Sequence, residues 1–290
     1  MHSHLDNIMD EPLQINVREV LRAKAPKAHV PEFIIRFLER IVHQDEMNAF
    51  LARLNGITGA AFARATYEEL FGVQVSIEGK ENIPLDDAPL IFASNHPLGA
   101  IDGVIEATLV SEVRQRSLKL IVNDFLMYIE PLREFFVPVN KVGKQSRENF
   151  RLQQQMWDSG CDVLTFPAGM CSRRQRNIWC KKPRYVVHDL QWQKSFIQKA
   201  RSYKRDIVPV YFDGQNTRRF YLIAYWRKLL GIKLNIEMLF LVDEMFRTKG
   251  KHFKVRVGKP IPWTTFDDSK TPMEWAEYMQ NQVYAMAKNE

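Results

Sequence analysis

Apolar residues recur at helical spacing through the first seventy positions of the chain. Ile15, Val17, Val20 and Leu21 form one set, and after Pro26 and Pro31 a second runs through Phe33, Ile34, Phe37, Leu38, Ile41 and Val42. A third helical stretch, 46–54, stops near Asn55-Gly56, and a fourth is expected over 62–71, with Gly56 and Gly59 marking the turns before it. After Gly72 the period changes. Short β-rich runs at 73–77, 89–93, 118–122, 135–139, 162–166, 207–212 and 253–257 alternate with helical patterns at 101–113, 145–158, 189–202 and 272–288. This alternation predicts an α/β domain over 73–290, built on a mixed, mostly parallel sheet flanked by helices, behind an N-terminal helical segment at 1–72. Catalytic groups in such a domain gather in loops at the carboxyl ends of strands.

Composition narrows the function classes. The chain has 290 residues, 46% of them hydrophobic and 26% charged, which excludes disorder as the main theme and suffices for a substantial core. Lys and Arg number 41 against 34 Asp and Glu, a net charge of +7 that favours an anionic partner or surface. Three cysteines, Cys161, Cys171 and Cys180, cannot pair completely and lack zinc-site spacing, so no metal is expected and a reducing cytoplasmic compartment is. The N-terminus, Met1-His2-Ser3-His4-Leu5-Asp6, lacks the basic start and apolar run of a secretory signal. The most apolar neighbourhood, 220–241, is interrupted by Arg227, Lys228, Lys233 and Glu237, so no transmembrane helix is expected.

The sharpest local feature is Ser94-Asn95-His96-Pro97-Leu98-Gly99-Ala100-Ile101-Asp102-Gly103, between an apolar strand pattern and a helical one. A His leaving a strand with an acid one or two turns later has the parts of an oriented base: the carboxylate fixes one ring nitrogen and the other can take a proton. A capping Asp beside a surface His explains the spacing equally well. A second strand pattern, 162–166, runs into Pro167-Ala168-Gly169-Met170-Cys171-Ser172-Arg173-Arg174, and a third into Val139-Asn140-Lys141. Backbone donors and Arg forks are common anion-binding elements. Two solvated basic loops are the bland reading.

At these residues the chain resembles the glycerophospholipid and lysophospholipid acyltransferases, including the 1-acylglycerol-3-phosphate acyltransferases. Asn95-His96 with Asp102 looks like the family's first block, Val137-Pro138-Val139-Asn140-Lys141 like its second, Phe166-Pro167-Ala168-Gly169-Met170-Cys171-Ser172-Arg173 like its third and Ile207-Val208-Pro209-Val210 like its fourth. The resemblance covers about 75–215, with the blocks in the same order. Five residues separate His96 from Asp102 where the family has four, so the intervening loop must bulge for the pair to meet. Ala168, Met170 and Cys171 replace the family's Glu, Thr and first Arg, and Asn140-Lys141 replaces an Asp-Arg-like pair. Lys lacks the planar fork of Arg, which weakens the site for an acceptor's phosphate.

The resemblance implies the family's fold and an O-acyltransferase in which His96 takes the proton from an acceptor hydroxyl as it attacks an acyl thioester, with Asp102 orienting the ring. The implied partners are a lipid acceptor and an acyl donor, either acyl-CoA or acyl-carrier protein, with no cofactor beyond that co-substrate. The acceptor is a lysolipid or an acylated amino-acid lipid of the ornithine or glycine type. Asn95, Lys141, Phe166, Pro167, Gly169, Ser172 and Arg173 are the expected substrate-binding residues, and backbone N–H groups in the 166–173 loop the expected oxyanion donors. The aromatic and basic run Phe220, Tyr225, Trp226, Arg227 and Lys228 is read as a contact with the anionic inner face of the cell membrane, giving a peripheral protein. A core helix with snorkelling cations is the alternative for that run. Aromatic and basic residues also suit single-stranded nucleic acid, but no nucleic-acid-binding motif accompanies them, and no nucleic-acid partner is expected. His188-Asp189 is read as a pair of sequence neighbours with Asp189 capping a helix. Two other function classes remain open: a lipid hydrolase using Cys171 or Ser172, and a catalytically altered lipid-binding protein.

Overall fold

The computed structural model describes residues 14–24, 29–123, 126–127, 129–139, 147–177, 184–231 and 236–288. Its sheet contains β1 (Gln74–Glu78), β2 (Ile91–Ser94), β3 (Leu118–Asn123), β4 (Phe136–Val139), β5 (Asp162–Thr165), β8 (Ile207–Asp213) and β9 (His252–Val257), and β6 (Arg173–Asn177) with β7 (Arg184–His188) forms a separate hairpin. The helices are α1 (Val17–Lys24), α2 (Glu32–Ile41), α3 (Gln44–Arg53), α4 (Gly59–Ala65), α5 (Ile101–Arg114), α6 (Arg147–Asp158), α7 (Ser195–Tyr203), α8 (Arg218–Leu229), α9 (Leu241–Phe246) and α10 (Pro272–Ala285).

The sheet order is β1-β9-β8-β2-β5-β3-β4, and every neighbouring pair is parallel except β8 with β9. The central strand β2 is buried along its whole length, which is why it reads as a continuous apolar run instead of an alternation. Its side chains nevertheless divide between two cores. Phe92 points to one, with Leu164, Val208, Ile105 of α5, Phe62 of α4 and Phe50 of α3. Ile91 and Ala93 point to the other, with Val163, Ile207, Trp157 of α6, Phe196 and Ile197 of α7, and Met279 and Val283 of α10. The N-terminal helices α3 and α4 thus share one helical layer with α5, and α6, α7 and α10 form the opposite layer.

Two departures from the sequence pattern bear on the site. The 173–188 region holds the hairpin β6–β7, whose antiparallel register pairs Arg173 with His188. The helix expected over 189–202 begins only at Ser195, and Asp189 does not cap it. Asp189 turns inward instead, with its side chain against the loop that follows β2. α10 starts as its sequence dictates: Pro272 occupies the first turn, and Thr271 and Glu274 form a capping box.

Candidate active site

The loops after β2, β5 and β8 meet at the carboxyl ends of these three parallel strands, the crevice where α/β sheets place their ligands. β2 and β8 separate beyond Ser94, and Asn95 bridges them: its Oδ1 accepts the Phe212 N–H at 2.7 Å and its Nδ2 donates to the Phe212 carbonyl at 2.9 Å. Asn95 was expected to bind substrate. Its side chain is buried and both ends of the amide are committed to β8, so it fixes the exit of β2 instead.

His96 is the next residue. Its Nδ1 lies 3.1 Å from Asp102 Oδ2, with the Asp102 side chain wholly buried and the His96 side chain 17% exposed. The Nδ1–H bond is not aligned on that oxygen, so the contact is electrostatic more than a well-formed hydrogen bond. The same oxygen also accepts the Leu98 N–H at 2.9 Å and the Gly99 N–H at 3.2 Å, while Oδ1 accepts the Gly103 N–H at 3.0 Å. Burial pushes the Asp102 carboxyl up, but the adjacent imidazole and the Leu98 and Gly99 amides outweigh it and hold the group below the ordinary carboxylate range. At Gly99 a φ of +80° turns the loop back, and Asp102, in the first turn of α5, returns to the ring across the five intervening residues.

The loop after β5 closes the other side. The Phe166 ring stacks on the imidazole, with centroids 4.0 Å apart and planes at 23°. The Ser172 N–H donates to the His96 carbonyl at 2.8 Å, and the Gly169 N–H to the Phe166 carbonyl at 2.8 Å. These two amides, in the stretch expected to supply oxyanion donors, bond the protein itself. Pro167 is buried, and its carbonyl accepts the Gln193 N–H. From the loop after β8, Asn216 Nδ2 donates to the Leu98 carbonyl at 3.1 Å.

Ser172 and Arg173, both expected at the substrate, turn into the protein. Ser172 is buried and donates its hydroxyl to Asp189 at 2.5 Å. Arg173 Nη2 bonds buried Glu237 at 2.9 Å, and Nη1 lies 3.1 Å from the Cys171 carbonyl and 2.8 Å from its Sγ. Arg227, expected at the membrane, forms an ion pair with the other oxygen of Glu237, its Nε 2.9 Å from Oε2. Glu237 therefore joins β6 to α8, and two cations drawn from the sequence as ligand and lipid contacts hold an internal ion cluster. Phe220 is likewise corrected: it is fully buried, with the Arg173 guanidinium 5.6 Å above its ring. The remaining surface of α8 is open. Tyr225 is 60% exposed, Trp226 54%, and Leu229, Leu230 and Lys228 are exposed with them. Lys141 lies outside the described residues.

Cys171 and Ser172 lack the activation a nucleophile needs. Burial pushes the Cys171 thiol up to about 11, overcoming the opposite pull of Arg173, and Ser172 bonds a carboxylate and not an imidazole. The residues that sequence reasoning missed are the inward carboxylates Asp189, Glu106 and Glu237, all buried. Asp189 meets His96 across 93 positions, and no local spacing signals such a contact.

The acyltransferase family model matches residues 19–290. The lyso-glycine lipid O-acyltransferase of Bacteroides thetaiotaomicron is 43% identical over 279 residues, covering 96% of this chain and 99% of the relative. The protein of the same name from Phocaeicola vulgatus is 39% identical over 279 residues, covering 96% of each. The crystal structure of the 1-acyl-sn-glycerophosphate acyltransferase PlsC from Thermotoga maritima matches 89% of this chain and 90% of its own, at 16% identity and a TM-score of 0.49. Among the described residues, no helix is long and apolar enough to cross a membrane.

Proposed function

Because this chain belongs to the acyltransferase family and is a lipid O-acyltransferase, we propose that His96 is its general base, that Asp102 orients and charges the ring, and that the acceptor is a lyso-glycine lipid. The observation that carries this reading is the 3.1 Å contact between His96 Nδ1 and a carboxylate that is wholly buried and tied to three backbone amides. The negative charge beside Nδ1 favours a proton on that nitrogen, which leaves Nε2 as the basic one.

Nε2 takes the proton of the acceptor hydroxyl as the oxygen attacks the thioester carbonyl of an acyl-CoA or acyl-carrier-protein donor. The negative charge of Asp102 stabilises the imidazolium that forms. The tetrahedral intermediate then collapses, the C–S bond breaks, and the imidazolium returns its proton to the departing thiolate. The products are the acylated lipid and the free thiol, and the reaction as drawn calls for no cofactor. Phe166, stacked on the ring, limits its rotation. Arg173 acts through Glu237 to fix the β6 side of the crevice, so the acceptor's anionic group is not held by that guanidinium fork. The relatives' name and the engaged Arg173 together favour an acceptor without phosphate. The exposed Tyr225, Trp226, Leu229 and Lys228 of α8 dock the enzyme on the anionic inner face of the cell membrane, where the lipid acceptor resides.

The test is incubation with a labelled acyl thioester and a panel of lysolipids that includes lyso-glycine lipid and lysophosphatidate, with products identified by mass. The expected product is O-acylated glycine lipid, and His96→Ala is expected to lower turnover by about 10³-fold or more at unchanged melting temperature. Turnover by a folded His96→Ala protein overturns the base assignment. Release of free fatty acid alone points to a hydrolase, and vesicle binding without transfer to a lipid-binding protein.

A further inference from the structure

Asp189 lies outside the reaction drawn above, yet its carboxylate collects donors from three separate parts of the chain. Oδ1 accepts the His96 backbone N–H at 3.2 Å and the Ser172 hydroxyl at 2.5 Å, while Oδ2 accepts the Trp192 indole N–H at 2.8 Å. Its own N–H donates to the Tyr284 hydroxyl of α10 at 2.8 Å. The residue is 2% exposed, and Trp192 beneath it is fully buried. Ser172 in turn donates its N–H to the His96 carbonyl. The His96 backbone is thereby gripped on both sides of its Cα, at its N–H by Asp189 and at its carbonyl by Ser172, and Asp189 holds Ser172 as well. The three residues close a ring that links the loop after β2 to the loop after β5.

We propose that Asp189 is a positioning residue for the acyl transfer, clamping the His96 backbone to the Phe166–Ser172 loop so that the imidazole stays between Asp102 and Phe166. This rests on the reading of His96 as the base. Asp102 acts on the ring at Nδ1, and Asp189 sets the backbone from which the ring hangs. Neither suffices alone, because the Nδ1–H is not well aligned on Asp102 and the ring direction therefore depends on where the backbone is held. A carboxylate suits the role, because its two oxygens accept from all three donors at once. An Asn at this position cannot reproduce it. Whichever way its amide turns, an NH2 faces either Trp192 Nε1–H or the His96 N–H, donor against donor.

The experiment compares Asp189→Asn, Ser172→Ala and the double variant with the wild type in steady-state acyl transfer, alongside thermal melting and His96→Ala. Asp189→Asn is expected to lower kcat by about 10- to 100-fold with KM for acceptor and donor within about twofold, since a shift of the base by a fraction of an ångström acts on the chemical step. Ser172→Ala, which keeps the carboxylate and removes one arm of the ring, is expected to cost about 3- to 10-fold in kcat, and in the Asp189→Asn background to cost almost nothing further, because both act through one network. A wild-type kcat in Asp189→Asn, with only the melting temperature lowered, overturns the proposal, as does full additivity of the two variants. If Asp189→Asn does not fold, Ser172→Ala carries the test, and a wild-type kcat there overturns it. The two readings fail differently. An inactive His96→Ala beside a fully active Asp189→Asn removes the clamp alone, whereas a fully active His96→Ala removes the base and the clamp's purpose with it.

Discussion

Gly99 and Cys171 face each other so closely that a Cβ on Gly99 would lie 2.7 Å from the Cys171 Cβ and 3.2 Å from its Sγ. The loop that returns Asp102 to the imidazole is packed directly on the loop that carries Ser172, and the φ of +80° at Gly99 makes a side chain there strained even without the collision. Gly99→Ala is therefore expected to push the loops apart, cost about 1–3 kcal/mol of stability and lower turnover at least about tenfold. Melting curves and kcat check it, and a variant as active and stable as the wild type would show the two loops to be loosely coupled.

Cys171→Ala should be close to neutral. The thiol is buried and stays protonated at neutral pH, because burial raises it to about 11 despite the neighbouring guanidinium. Acyl transfer within about twofold of wild type, and a Cys171 thiol that resists alkylation when labelled sites are mapped by mass, are the expected results. Complete inactivation would restore a thiol mechanism.

Asp102→Asn tests the orienting charge. The amide keeps an oxygen for the Leu98 and Gly99 N–H groups, turns its NH2 on the Gly103 N–H and removes the negative partner of the imidazolium, and turnover is expected to fall by about 10²- to 10⁴-fold, at most as far as in His96→Ala. Steady-state kinetics at saturating donor measure it. A wild-type rate would mean that the 3.1 Å contact does not couple the two groups.

Glu106 gives a pH dependence to stability. It lies in α5 one turn beyond Asp102, and Ser94 Oγ sits 2.7 Å from its Oε1 and 3.0 Å from the Asn95 carbonyl. One hydroxyl proton cannot serve both acceptors. When Ser94 donates to the carbonyl, Glu106 must donate to Ser94 and is the neutral acid. Burial drives the carboxyl well above its ordinary value, with Asp102 and Asp189 adding to the rise and the Ser94 contact opposing it. Above pH 4.5 the unfolded chain releases this proton and the folded one keeps it, so the folded state binds more protons. Its stabilising contribution is complete below that pH and is lost as pH rises toward the folded value. Glu106→Gln removes this term. Between pH 5 and 7 the variant should lose less stability than the wild type, by up to about 1.4 kcal/mol per pH unit, in denaturant titrations. Parallel pH profiles would show that Glu106 is ionised in the fold.

The exposed end of α8 predicts a membrane phenotype. Trp226→Ala combined with Lys228→Glu removes an interfacial aromatic and reverses a cation, and should reduce partition onto vesicles containing anionic lipid by at least about tenfold without lowering the melting temperature. Sedimentation with vesicles reads this directly. Unchanged partition would place the docking surface elsewhere.

Much of the fold was legible because it rests on short-range periodicity. The seven sheet strands fall within one or two positions of their apolar runs, and α5, α6 and α10 follow theirs. The hairpin β6–β7 was not legible. Its first strand begins Arg173-Arg174-Gln175 and has no apolar alternation to announce it. The false start of α7 has a similar origin: an acid before a helical pattern looks like a cap, and only the tertiary fold offers Asp189 stronger partners in the His96 amide and Ser172.

The sequence by itself determined the acyltransferase blocks, the layered α/β architecture and the chemical identity of the His96 and Asp102 pair, because each depends on residue types at fixed local spacing. Tertiary structure alone decided how the charges are spent. Arg173 and Arg227 neutralise Glu237, Asn95 staples two strands, Phe220 fills the interior, and Asp189 reaches the imidazole's backbone. A side chain's partner is set by the direction in which the folded backbone aims it and by the penalty for leaving a buried polar group unpaired, and neither is written in the order of the residues.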